Sequence, residues 1–318
     1  MDGQAQPLDI RVAVSGGLEL RVLRWEPDLS TEGAANTHAG GGVRRDTMSD
    51  APPYLLVHGL ASNARLWDGV ARGLAGAGRR SAAVDLRGHG RSDKPDSGYD
   101  FATVSADLHD LVAALGFDRP VLAGQSWGGG VVLDFAVRYP ESTRGVVLVD
   151  GGLTDLRDGF SSWDECWARL APPELIGLPY ADIEGYFRRN HADWAAEGIE
   201  GSLANFEVRP DGTIAPWLTR ERHKAILAAM WDQRTAELWN SLRVPALIVP
   251  VDGGPGGWTD GKRAAAAAAE SAMLASGTPV AVHWFEGDHD VHAQHPEELA
   301  AAILEAEQEG LFGPVKVR

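Results

Sequence analysis

Gly124-Gln125-Ser126-Trp127-Gly128-Gly129 joins two segments of opposite character. Ahead of it, Pro120-Val121-Leu122-Ala123 has the unbroken apolar run of a buried parallel strand. Behind it, Val131-Val132-Leu133-Asp134-Phe135-Ala136-Val137 reads as a helix that stops near Tyr139-Pro140. A serine between them occupies the tight strand-to-helix turn. Such a turn strains the serine backbone and tolerates only small neighbours, here Gly124 and Gly128. It aims the hydroxyl out of the sheet, where the helix N-terminus points its N–H groups. The stretch fits a nucleophile elbow. A G-x-S-x-G pattern is common by itself, so the surrounding chain has to carry the reading.

The surroundings do alternate in the required way. Residues 8–14 and 18–25 switch between apolar and polar across Ser15-Gly16-Gly17, which predicts an antiparallel hairpin of edge strands with one wet face. Residues 30–50 turn to Gly, Ala, Thr, Asn and charge without periodicity, so a mobile loop is expected there. From residue 54 to 150, strands (54–57, 81–84, 120–123, 144–149) alternate with helices (66–77, 103–115, and the one after Ser126). That order implies right-handed crossovers and a parallel sheet covered on both faces. Between 153 and 243 the strands stop, and helices over 163–170, 182–194 and 220–239 are expected. Six of the eleven tryptophans lie in this stretch, which reads as a helical lid: each aromatic serves first to glue it to the main body, and some of them should line a pocket. The α/β pattern resumes with strands at 245–250 and 280–285 and helices at 262–274 and 296–309.

Bulk properties narrow the partners. A chain of 318 residues with 44% hydrophobic content can bury a large core. A formal net charge of −16, with no concentrated basic patch, repels phosphate-rich partners and argues against nucleic acid and anionic membrane surfaces. No apolar run approaches the ~20 residues that span a bilayer. The N-terminus lacks a basic-then-apolar signal pattern, so a cytoplasmic location is expected. The single cysteine, Cys166, sits in no redox or metal motif. Nucleotide binding has no support, because no Lys follows the elbow glycines and Gly253 to Gly257 lacks G-x-G-x-x-G spacing.

Four motifs now stand in order: His58-Gly59, Asp85-Leu86-Arg87-Gly88-His89-Gly90-Arg91-Ser92, the Ser126 elbow, and Gly287-Asp288-His289 seven residues before Pro296-Glu297-Glu298. Together they cover nearly the whole chain and resemble the α/β-hydrolase fold family, its lid-bearing serine hydrolases most of all. The resemblance implies a mostly parallel eight-stranded sheet flanked by helices, with a helical cap inserted after strand 6. Core residues would be 1–152 and 244–318, and cap residues 153–243.

By the same resemblance Ser126 is the nucleophile and His289 the base that activates it. His292 and His295 follow at three-residue spacing. They compete for the role or suggest a metal site, but are better read as surface or supporting groups, with no metal and no cofactor expected. Leu60 and Trp127 would lend backbone N–H groups to an oxyanion hole, while His58, Arg87 and His89 read as structural. For the acid, the family pattern points to the segment after the seventh strand, where Asp252 comes about two residues early and leads. Asp150, after the sixth strand, is the alternative, and Asp260 a third.

The expected activity is cofactor-free hydrolysis of a small, largely apolar carboxylic ester through an acyl-enzyme on Ser126, with a small molecule as the partner. C–C bond or amide hydrolysis, acyl transfer and perhydrolysis remain open on the same residues. A serine at the elbow argues against dehalogenase and ordinary epoxide hydrolase chemistry, which need a carboxylate there. A non-catalytic ligand receptor on the same scaffold is the rival of another class.

Overall fold

The computed structural model describes residues 6–27, 51–254 and 257–313, so the loop expected at 30–50 lies outside the described residues. The strands in chain order are β1 (Leu8–Ala13), β2 (Glu19–Trp25), β3 (Tyr54–Val57), β4 (Ser81–Val84), β5 (Val121–Gln125) and β6 (Gly145–Val149). They continue with β7 (Phe206–Val208), β8 (Ile214–Pro216), β9 (Ala246–Val249), β10 (Val251–Asp252), β11 (Val280–Val282) and β12 (Phe285–Glu286). Eight of them form one sheet in the order β1-β2-β4-β3-β5-β6-β9-β11. It is parallel from β4 onward, and β2 runs antiparallel to both of its neighbours.

The period-two pattern of the strands divides the core in two. Leu20 and Val22, Leu55 and Val57, Leu122, Val146 and Leu148 face one layer. It is closed by α2 (Phe101–Ala114) and α3 (Trp127–Arg138) through Leu108, Leu111 and Val131. Leu23 and Trp25, Tyr54 and Leu56, Val121 and Ala123, Val147 and Val149 face the other layer. That one is closed by α1 (Asp68–Gly76) and the C-terminal helix Pro296–Gln308 through Val70, Leu74, Leu299 and Ile303. Each such side chain gains ~1.5–3 kcal/mol on burial, so both faces of the central strands must be covered. β2 differs from the expected wet edge strand for this reason: Leu20, Val22, Leu23 and Trp25 are all buried, and of the two hairpin strands only β1 lies at an edge.

The chain between β6 and β9 is mainly helical: α4 (Leu156–Gly159), α5 (Trp163–Leu170), α6 (Tyr180–Asn190), α7 (Ala196–Leu203), α8 (Arg220–Asp232) and α9 (Thr235–Ser241). Two expectations need correction here. The β7–β8 hairpin interrupts the helices around Pro210-Asp211-Gly212, where Asp211 Oδ1 accepts from Thr213 N and Gly212 takes a φ of 81°. The single helix expected over 220–239 is two, because Asp155 Oδ1 captures the Thr235 N–H and hydroxyl at 2.7 and 2.6 Å and starts a new helix there.

The tryptophans of this segment chiefly glue it down. Trp194 packs with Leu66 and Ala293, while Trp163, Trp167 and Trp231 pack round Phe160, Cys166 and Leu227, with Leu60 of the sheet layer alongside. After β9 come α10 (Gly257–Ser276), α11 (Val291–Gln294) and α12 (Pro296–Gln308). The last expected strand splits: β11 pairs with β9, and β12 pairs in parallel with β10, so the two loops leaving the sheet run side by side.

The Asp85 to Ser92 turn is braced by charge, as its composition suggests. Asp85 is fully buried and accepts from Ala64 N, Arg91 N and Arg21. Arg87 grips Asp107 of α2 through two bonds of 2.5 and 2.7 Å, and both side chains are at least nine-tenths buried. Removing one partner of such a pair strands a buried charge, at a cost of ~3–5 kcal/mol. Asp107→Ala is therefore expected to lower unfolding stability by about that amount in urea titrations; a loss under about 1 kcal/mol, the range of an exposed pair, would contradict it.

Candidate active site

Ser126 follows β5 with φ 54° and ψ −120°, a positive-φ conformation that costs a side-chain-bearing residue ~1–3 kcal/mol. Neighbouring strands over-determine it: Ser126 N donates to Val149 O, and Ser126 O accepts from Gly129 N. The glycines leave no room for alternatives. A Cβ on Gly124 would lie 2.2 Å from Gly128 O, and one on Gly128 would lie 2.4 Å from Val57 O. The sequence thus folds the turn so tightly that the Ser126 hydroxyl projects from the carboxyl edge of the sheet.

His289 follows β12 in a loop tied down from three sides. Gln125 Nε2 donates to His289 O, Gln294 Oε1 accepts from Asp288 N, and Trp194 Nε1 donates to Asp288 Oδ2. These ties aim the imidazole at the elbow, with Nε2 2.9 Å from Ser126 Oγ and Nδ1 2.6 Å from Asp150 Oδ2. Asp150 stands just past β6 with φ 45°, its carboxylate fully buried. Its Oδ1 accepts from Val251 N at 3.0 Å, and Lys262 Nζ approaches Oδ1 and Oδ2 at 2.7 and 2.8 Å.

Three side chains are therefore in line, and the carboxylate that meets His289 is Asp150; Asp252, the leading candidate, is not among them. Asp252 belongs to β10, pairs with Glu286 in the β10–β12 ladder, and spends its carboxylate on Gly254 N at 3.0 Å and Arg263 at 2.6 Å. It is a turn cap. Asp260 is exposed on the first turn of α10.

Charge distribution follows from these contacts. Burial opposes ionisation of Asp150, but its bonds to His289 and Lys262 win and hold its pKa below the usual carboxylate value. The protein packed round the His289 ring opposes its protonation. The Asp150 hydrogen bond and the Asp290 and Asp150 charges outweigh that, so its pKa stands above the ordinary imidazole value.

The backbone expected to meet an oxyanion is available. Trp127 is the first residue of α3, so its N–H is one of the unpaired leading donors of the helix. Leu60 N has no backbone acceptor among the described residues. Two buried imidazoles hold the Leu60 loop. His58 Nε2 accepts from Leu86 N and its Nδ1 donates to Gly59 O. His89 Nε2 accepts from Ala61 N and its Nδ1 donates to Arg87 O. Burial pushes both pKa values down, so both rings are neutral struts.

His292 is not a surface group. It is buried on α11 against Trp67, and burial pushes its pKa down to about 3. His295 lies 4.0 Å from Glu298. Among the described residues no group of three or more His, Cys, Asp or Glu side chains is arranged to hold a metal ion.

A cavity of about 420 Å³ opens beside Ser126 and His289, walled by Phe101, Leu156, Leu170, Met230, Trp127 and Trp258. None of the six tryptophans of the helical segment lines it; Trp217 lines a separate cavity near the β7–β8 hairpin. Two residues beside the elbow chemistry, Gln125 and Lys262, were not singled out by sequence. Gln125 was visible inside the motif itself, whereas Lys262 sits unmarked before an alanine run.

The sequence profile of the alpha/beta hydrolase fold matches residues 52–309, and the chain belongs to that family. A 2-(acetamidomethylene)succinate hydrolase of Mesorhizobium japonicum is 27% identical over 253 residues, 79% of this chain and 86% of that protein. An uncharacterised protein of Mycobacterium tuberculosis is 38% identical over 103 residues, 32% of this chain but only 29% of the relative's length. Among solved structures, that of E-2-(acetamidomethylene)succinate hydrolase superposes with a TM-score of 0.70 at 22% identity, covering 95% of this chain and 99% of the other. No helix among the described residues is long and apolar enough to cross a membrane.

A short bond between an ionised carboxylate and an imidazole N–H deshields the shared proton. A far-downfield proton resonance is expected in the wild type and in Asp252→Asn and is expected to vanish in Asp150→Asn. Its loss in Asp252→Asn with retention in Asp150→Asn would contradict the contacts described.

Proposed function

We propose that this chain is a serine hydrolase cleaving a small, largely apolar carboxylic ester, with Ser126 as nucleophile, His289 as base and Asp150 as the acid. The observation that carries the reading is the continuous path from Ser126 Oγ to His289 Nε2 at 2.9 Å and from Nδ1 to the buried Asp150 at 2.6 Å. A serine hydroxyl is too weak an acid to attack unaided. The imidazole removes its proton as Oγ bonds to the carbonyl carbon, and Asp150 stabilises the imidazolium that results. The growing oxyanion is met by Trp127 and Leu60 N–H, each such donor contributing ~10²–10³ in rate. His289 then returns the proton to the leaving alkoxide. A water activated by the same imidazole next releases the acyl group. The helical segment 153–243 acts as a cap that closes the cavity.

The ester preference rests on the lining. The basic side chains among the described lining residues are His289 and Lys262, and the Lys262 ammonium is committed to Asp150 and Val251 O. A dicarboxylate such as the succinate in the relative's name would find no free counter-ion there. Amide cleavage is the second reading, supported by the extent of the match to that relative. It differs only in the leaving group that His289 must protonate.

Release of p-nitrophenol from short and medium acyl esters tests the proposal. Ser126→Ala is expected to abolish turnover, by about 10⁶ in kcat, together with fluorophosphonate labelling. Asp150→Asn is expected to cost about 10⁴, while Asp252→Asn stays within a few-fold of wild type. Turnover that survives Ser126→Ala would sink the reading, and a protein neither active nor labelled would point to a ligand receptor instead.

The pH profile carries a sign as well. The base works only when neutral, and its pKa is raised, so kcat/KM is expected to fall with acidification along a limb centred above the ordinary imidazole value of 6.5. A limb centred below 6.5 would contradict the Asp150–His289 arrangement.

A further inference from the structure

Lys262 has no part in the proposed mechanism, yet it occupies the most consequential position around it. It projects from the second turn of α10, with its side chain four-fifths buried. Its ammonium is held by Val251 O at 3.0 Å while reaching both oxygens of Asp150. Its hydrogen bonds go to Asp150 Oδ2 and Val251 O, so the ammonium is committed to protein oxygens. The fully buried carboxylate is shared between two partners of opposite consequence: the imidazole it must support and an ammonium that competes for its charge.

We propose that Lys262 is a positioning residue that acts through Asp150, fixing the carboxylate as an anion and offsetting part of its charge as seen by His289, so that the imidazole is released from protonation at a lower pH. This rests on the proposed role of Ser126, His289 and Asp150. The physical reasoning is a balance. A buried carboxylate left alone with one imidazole would favour the imidazolium strongly and hold the base protonated, where it cannot accept from Ser126. A cation on the far side of the carboxylate weakens that pull without touching the ring. The Val251 O anchor keeps the ammonium there while the Val251 N–H fixes the same carboxylate from beside it.

The other charged and titratable groups around the ring do not replace it. Asp290 and Asp288 flank His289 in its own loop: burial raises the Asp290 pKa, though its charge still favours the imidazolium, and the Asp288 carboxylate is held by Trp194 and lies 3.6 Å from His191. His292 of α11 and His58 of the loop after β3 are buried and neutral. Asp252 of β10 is spent on Arg263 of α10. Lys262 is the cation in direct contact with the acid.

The test separates charge from shape. Lys262→Gln keeps a donor for Asp150 and removes the charge; Lys262→Arg keeps the charge. The His289 titration is followed by NMR in a Ser126→Ala background, which needs no turnover, and by the acid limb of kcat/KM for p-nitrophenyl acetate with Ser126 intact. Lys262→Gln is expected to move both upward by about one pH unit, because Lys262 is a like charge to the imidazolium and its removal leaves the Asp150 charge unopposed, and Lys262→Arg to leave them near wild type. An unchanged His289 titration in Lys262→Gln would overturn the proposal and reduce Lys262 to a structural pin, whatever happens to kcat. Should Lys262→Gln not fold, Lys262→Met is read in the same way. Failure of the hydrolase reading itself would show as a wild type without turnover or fluorophosphonate labelling, a result independent of the NMR shift.

Discussion

Asp150 is a carboxylate taken wholly out of water, and that cost organises the loops at the carboxyl edge of the sheet. A buried anion has to be paired and hydrogen-bonded, or the group neutralises. Here it is met from three directions by Val251 N, Lys262 and His289. Each partner comes from a different part of the chain: the strand leaving β9, the helix after it, and the loop after β12. Pairing of β10 with β12 brings the first and third together, so a two-residue ladder with little energy of its own carries Val251 and the His289 loop to the same carboxylate.

The elbow is the complementary constraint. Strain at Ser126 persists because the sheet on one side and α3 on the other leave the backbone no relaxed alternative, and the small residues at 124 and 128 make the close approach possible. Rigidity of this kind is what a preorganised oxyanion site requires, since donors that must move into place lose much of their benefit. The neutral, buried imidazoles of His58 and His89 extend the same rigidity to the Leu60 loop. His89 also stacks on Trp127, with ring centroids 5.3 Å apart, tying the two candidate donor segments together.

Much of this was legible in the chain. Strand and helix alternation is written in local patterns of period two and 3.6 with the elbow as a short motif between them, and local patterns survive folding, whereas His289 was legible only through the resemblance of four ordered motifs to the family. The choice between Asp252 and Asp150 was not local. Both aspartates end strands, and which carboxylate faces His289 depends on the register of β10 against β12, a matter of two residues in a glycine-rich segment. Lys262 was invisible for a similar reason: a lysine beside an alanine-rich helix reads as solvated, and only the tertiary contact makes it a partner of the acid. The break between α8 and α9 depended on Asp155, some eighty residues earlier. The β7–β8 hairpin, by contrast, announced itself in Pro210-Asp211-Gly212, but its three-residue strands are too short to show alternation.

The most direct measurement is rapid acid quenching of the protein during turnover of p-nitrophenyl acetate, followed by digestion and mass spectrometry of the peptide containing Gln125-Ser126-Trp127. The account predicts an acetyl adduct on Ser126 that accumulates within the first turnover and disappears as substrate is exhausted. Turnover without that adduct, or a transient adduct on Lys262 or Cys166 in its place, would contradict it.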